Sequence, residues 1–146
     1  MTTRVVDASV AAKWFLPEQW SGEAYLLRSQ DETLIAPDIL VVELTRVILR
    51  KVRRRDLSEA AARDAFLLVA AQPVELRPTA ALIALAFDIG LKHQRDAYDA
   101  IYVALALQER CTLVTADRVL YDALVGAYPE TMVWVGDLAD HLPKAP

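Results

Sequence analysis

Residues 96–117 read Asp-Ala-Tyr-Asp-Ala-Ile-Tyr-Val-Ala-Leu-Ala-Leu-Gln-Glu-Arg-Cys-Thr-Leu-Val-Thr-Ala-Asp. The stretch predicts a helix from Asp96 to about Glu109, a strand over Thr112–Thr115, and then an acid, Asp117. The helix is almost wholly apolar from Ala100 to Ala106, so it must be buried on most sides. A short apolar strand following such a helix points to an α/β fold with parallel strands.

The same alternation extends outward in both directions. Arg4–Val6 is a short strand ending at Asp7, and Ala8–Phe15 reads as a helix stopped before Pro17. Ser21 suits the N-cap of a helix over 22–29, with Glu23 in its first turn. Leu34–Ala36 is a second strand, closed by Pro37 and Asp38. A helix then runs to about Arg54, its Leu40, Val41, Leu44, Val47, Ile48 and Val52 at helical spacing. Ser58 opens another helix to about Ala71, and Val74–Leu76 is a third strand. Thr79 starts a helix ending near Gly90 as C-cap, with a polar loop over 91–95. Arg118–Val125 is a short helix, Thr131–Val135 a fifth strand, and the tail from Asp137 holds one turn of helix. The expectation is an α/β chain: a parallel sheet of about five short strands, covered on both faces. The two helices at about 38–72 are an insertion that projects as a hairpin. Residues 1–146 are expected to form one domain.

The chain is 55% hydrophobic and 25% charged, a globular balance and not a disordered one. Its net charge of −4 argues against a broad basic surface for coating nucleic acid. No apolar run approaches the roughly 20 residues of a membrane span, and no signal-peptide core follows Met1. The single cysteine, Cys111, excludes an internal disulfide and is expected as a small core residue; a reducing, cytoplasmic setting fits. His93 and His141 lack metal-ligand spacing and read as surface residues. Trp14, Phe15, Trp20 and Tyr25 fit either core packing or a groove for a partner helix.

Four acids stand at turning points: Asp7 and Asp117 past strand ends, Glu43 in the inserted helix, and Asp99 at the start of the buried helix. Each has an ordinary explanation. Asp7 fits an N-cap, Glu43 an exposed helical residue, Asp99 a capping-box partner of Asp96, and Asp117 a strand-to-helix turn. In a doubly wound sheet, however, these places meet at the carboxyl edge of the strands. Carboxylates about 5 Å apart at an effective dielectric of about 20 repel by about 3 kcal/mol per pair. Such a group needs protons or a divalent cation, and oxygen-only ligands point to Mg²⁺ or Mn²⁺. Six of the sixteen basic residues fall between Arg46 and Arg55. Arg46, Arg50, Arg53 and Arg54 among them suit either a solvated helix end or a phosphate-gripping rim.

Val-Val-Asp-Ala-Ser-Val (5–10), Pro-Asp-Ile-Leu-Val-Val-Glu-Leu (37–44), Tyr-Asp-Ala-Ile-Tyr-Val-Ala-Leu-Ala (98–106) and Leu-Val-Thr-Ala-Asp (113–117) together resemble the PIN-domain ribonucleases. The likeness is greatest to the VapC-type toxins of toxin–antitoxin pairs and spans about residues 4–140. It implies an α/β/α sandwich, one or two Mg²⁺ or Mn²⁺ ions, cleavage of single-stranded RNA, a VapB-type antitoxin and a homodimer. It also implies Asp7, Glu43, Asp99 and Asp117 as metal-binding acids, with Ser9 and Thr115 as polar helpers on the substrate side. Arg46 stands where the family often has Asn, and can pair with a carboxylate or hold a phosphate bidentately. Two other readings stay open: a catalytically silent binding module of the same fold, and a phosphoryl-accepting α/β domain.

Overall fold

The computed structural model describes residues 2–29 and 31–144. Five strands, β1 (Thr2–Val6), β2 (Glu32–Pro37), β3 (Glu75–Arg77), β4 (Thr112–Thr115) and β5 (Met132–Trp134), form one sheet in the order β3-β2-β1-β4-β5. Every pairing is parallel, with Val5 opposite both Ile35 and Leu113. The helices are α1 (Ala8–Ala11), α2 (Ser21–Ser29), α3 (Ile39–Arg53), α4 (Glu59–Ala70), α5 (Ile83–His93), α6 (Ala97–Gln108), α7 (Arg118–Leu124) and α8 (Leu138–His141). Successive connections move outward from β1 to β3, then cross back to β4 and on to β5. Right-handed crossovers therefore place the helices on both faces of the sheet, an α/β/α sandwich. Val5, Val6, Ile35, Leu113 and Val114 have no exposed surface, which explains why the strands read as unbroken apolar runs. The buried run Ala100–Ala106 of α6 lies against β1, β2 and β4, as its composition requires.

Helix starts obey their cap chemistry where the sequence supplies it. The Ser58 hydroxyl accepts from Ala61 N–H, and Asp96 Oδ1 accepts from Asp99 N–H at 2.9 Å. Three expectations are corrected. The helix from Ala8 is a single α-turn followed by a 3₁₀ turn at Ala12–Trp14. Thr79–Leu82 is likewise 3₁₀. Gly90 does not end α5, which continues to His93 and closes on Gln94 at φ 54°. Gly90 is needed for another reason: Arg95 O lies 3.0 Å from where a Cβ would stand.

The amino edge of the sheet carries a feature that the sequence does not announce. Arg4 is buried in β1 and its Nε donates to Glu32 Oε2 at 2.7 Å. Its other nitrogens donate to Thr112 Oγ1 at 3.1 Å and His141 O at 2.7 Å. One guanidinium in β1 thus ties the starts of β2 and β4 to α8. Of the aromatic group, Trp14 is core, its Nε1 donating to Ala24 O, and Trp20 meets Trp134 edge-on; Tyr25 remains half exposed. Cys111 is half-buried, and that burial pushes its thiol pKa up. His141 is exposed, while the partly buried His93 meets the Tyr128 hydroxyl at 3.0 Å.

Candidate active site

In a parallel sheet all carboxyl ends lie along one edge, and connections reverse direction between β1 and β4. A crevice opens there by topology alone. One pocket of about 470 Å³ occupies it, lined by Asp7, Ser9, Glu43, Asp99 and Asp117, and also by Lys13, Arg46, Arg50, Lys51 and Arg54. All four acids anticipated from sequence therefore meet in one place. The basic residues follow from helix geometry: Glu43, Val47, Arg50 and Arg54 recur along one stripe of α3, with Arg46 and Lys51 beside it. Arg53 is exposed and does not line the pocket.

Asp7 sits at the N-cap position of α1 but its side chain does not cap. Instead Ser9 Oγ and Thr115 Oγ1 both donate to Asp7 Oδ2, each at 2.7 Å. Those hydroxyls accept in turn from Ala116 N–H and Asp117 N–H, at 3.0 Å each. The β4–α7 turn is thereby wired to one oxygen of Asp7. Thr115 has no exposed surface, so its place on the substrate side is corrected: it positions Asp7 from behind. Asp117 does cap, its Oδ1 accepting from Leu120 N–H at 3.1 Å.

Electrostatics show crowding. Burial pushes the Asp7 pKa up against the pull of the two hydroxyls, and Asp117 adds to the rise. Glu43 is raised to about 7, first by burial and then by Asp7, Asp99 and Asp96. Asp99 is raised to about 6, by burial and then by Asp96, Asp7 and Asp117. Among the described residues, Glu43 Oε1 and the Tyr102 hydroxyl are both buried with no partner in hydrogen-bond geometry, yet they lie near enough that Tyr102 pulls the Glu43 pKa down and Glu43 pushes that of Tyr102 up. Tyr102 was missed in the sequence. Its one signal was its position, a helical turn beyond Asp99 and so on the same face of α6.

No three His, Cys, Asp or Glu side chains among the described residues form a ready-made cluster for an ion. The donor set nonetheless fits a hard divalent cation. It offers only oxygen, it includes an orphaned buried acceptor in Glu43, and Mg²⁺ keeps several waters while taking one or two carboxylates directly.

The raised pKa values make a stability prediction. Between its unfolded and folded values, 4.5 and about 7, Glu43 binds more proton in the native state than in the unfolded one. Stability therefore falls as pH rises through that window. In EDTA the melting temperature should drop from about pH 5 to about pH 8, and Mn²⁺ should restore more of it at the higher pH. A melting temperature independent of pH and of Mn²⁺ would show that the acids do not act as a group.

The model of the PIN domain matches residues 4–124. The chain belongs to the PIN-domain family. Its PIN fold has a relative in Ribonuclease VapC3 of Pyrobaculum aerophilum, 34% identical over 118 residues, which cover 80% of this chain and 90% of that protein. The crystal structure of PAE2754 from the same organism superposes with a TM-score of 0.67 at 19% identity, covering 96% of this chain and 88% of that one. A toxin–antitoxin complex from Klebsiella pneumoniae contains a chain of the same fold, with a TM-score of 0.57 at 15% identity, covering 89% of this chain and 95% of that one. PIN membership removes the phosphoryl-accepting alternative.

Proposed function

We propose that this chain is a metal-dependent endoribonuclease, the toxin of a toxin–antitoxin pair, and that Asp7, Glu43, Asp99 and Asp117 hold Mg²⁺ or Mn²⁺. The carrying observation is the meeting of four carboxylates in one pocket whose wall continues into the basic stripe of α3. The PIN family and the relation to a ribonuclease support the same reading. When bound, the ion supplies a Lewis acid for the scissile phosphate and lowers the pKa of a water.

The protein's own groups divide the remaining work. Asp7 is held rigid by two hydroxyls, so its orientation is set before substrate arrives. Whichever of Asp99 and Asp117 the ion leaves unliganded is placed in the same pocket to orient the attacking water and take its proton in an in-line displacement at phosphorus. Arg46 makes no ion pair with the acids among the described residues and lines the pocket, which leaves its fork free for a phosphate. Arg50 and Arg54 extend that grip along the same wall.

Partners follow the same reading: single-stranded RNA, a VapB-type antitoxin and a second copy of the chain, in the cytoplasm. Exposed apolar strips support protein partners, with Ile83, Phe87 and Leu91 on α5 and Phe66 and Leu67 on α4 each about half exposed or more. No helix among the described residues is long and apolar enough to cross a membrane.

The test is cleavage of single-stranded RNA with Mg²⁺ or Mn²⁺ and its loss in EDTA. Binding without cleavage under any divalent ion would favour the silent module, for which Arg46 beside Glu43 is the structural argument. Replacing Arg50 and Arg54 by Gln should weaken RNA binding and flatten its salt dependence by roughly 0.7 for each phosphate no longer held.

A further inference from the structure

Lys13 is the one basic residue of the pocket that is buried, at 7% exposure. It lies in the 3₁₀ turn after α1, and its Nζ donates to Glu18 Oε1 at 3.0 Å. Glu18 reaches it from the solvent side, with 40% of its side chain exposed. The loop fixes Glu18 there. Ser21 Oγ accepts from Glu18 N–H at 3.0 Å and donates to Lys13 O at 3.3 Å, while Ser21 N–H donates to Glu18 O at 3.2 Å. Trp20, at φ 68°, rests edge-on against Trp134 where a Cβ on Gly136 would collide with the Trp134 ring.

As a stability device this pair is poor. Burying an ammonium is costly, and a half-exposed partner returns little. As an anion site it is already built: a buried cation lining the pocket, satisfied by the carboxylate of a more exposed side chain. A phosphodiester offers the same charge through its non-bridging oxygens.

We infer that Lys13 binds an RNA backbone phosphate flanking the scissile one, and that Glu18 occupies this phosphate position in the free protein. The inference rests on the ribonuclease reading above. RNA entry then exchanges one anion for another on Lys13, with no covalent change. Glu18 acts as a competitor that favours substrates long enough to supply the flanking phosphate.

The test is fluorescence anisotropy of a labelled single-stranded oligoribonucleotide in EDTA at about pH 6, titrated over a range of salt, with cleavage in Mn²⁺ followed separately. Glu18→Gln should tighten binding about two- to fivefold, the range an exposed ion pair covers. Lys13→Met should weaken binding and reduce the salt slope by about 0.7, whereas Lys13→Arg keeps the slope. Glu18 is exposed, so its variant carries the test even where Lys13→Met folds poorly. Wild-type cleavage together with unchanged affinity in Glu18→Gln and an unchanged slope in Lys13→Met overturns the subsite alone. A wild-type chain that neither binds nor cleaves RNA overturns the ribonuclease reading and the subsite with it.

Discussion

Asp7→Asn should yield a protein that melts higher in EDTA and cleaves no RNA. Both hydroxyls that hold Asp7 donate to the same oxygen, Oδ2. An asparagine oxygen accepts both in that position, so the Ser9 and Thr115 web survives the change. What disappears is a buried carboxylate, itself raised by burial and Asp117, whose charge raises Glu43 and Asp99. Removing it relieves the folded state above the carboxylate range. It also removes the anionic oxygen that the proposed ion needs, so activity should fall by more than about 100-fold, the scale on which one preorganised electrostatic partner acts. Circular-dichroism melts and a Mn²⁺ cleavage assay on the same preparation read both effects. A variant that keeps activity refutes the metal role; one that is inactive and melts lower shows that the loss came from the fold.

Arg4→Met should be the most destabilising single change considered. Arg4 and Glu32 have side-chain exposures of 6% and 2%, and among the described residues Glu32 Oε1 already lacks a partner. Losing the guanidinium leaves a buried carboxylate with nothing to meet it, at a cost of about 3–5 kcal/mol. Thr112 Oγ1 and His141 O lose a donor at the same time. For a chain of this size that corresponds to roughly 10 °C in melting temperature. The double change Arg4→Met with Glu32→Leu should recover most of the loss, because replacing a buried pair by apolar groups is close to neutral. A shift below about 1 °C in the single variant would mean that water reaches Glu32 and the pair is not sealed.

The two edges of the sheet differed in how readable they were. Asp7 and Asp117 were legible because an apolar strand ending in an acid marks the carboxyl edge, and parallel topology does the gathering. Asp96 was legible because N-cap chemistry is local. Glu43 was half legible: its side chain faces the pocket only once α3 is docked, and rotation about a helix axis is set by packing. Thr115 was assigned to the right place and the wrong depth, since a polar residue sealed behind another side chain looks the same in sequence as one beside it. Arg4, Lys13 and Tyr102 were not legible. The Arg4 partners lie at the amino ends of β2 and β4 and in α8, far away in sequence, and Tyr102 hides within an apolar helix where its place one turn beyond Asp99 is the sole trace. Gln94 shows the limit for caps, because a left-handed residue other than glycine carries no compositional warning.

The parallel sheet has a consequence for descent. β1 and β4 hand Asp7 and Asp117 to the same edge, and α3 and α6 bring Glu43 and Asp99 to it, so register is constrained while the length of chain between these elements is not. Lineages built on this plan can gain and lose residues between elements without disturbing the chemistry. A search keyed to fixed intervals between the acids would lose such kin, and one keyed to the strand ends and helices that carry them would keep them.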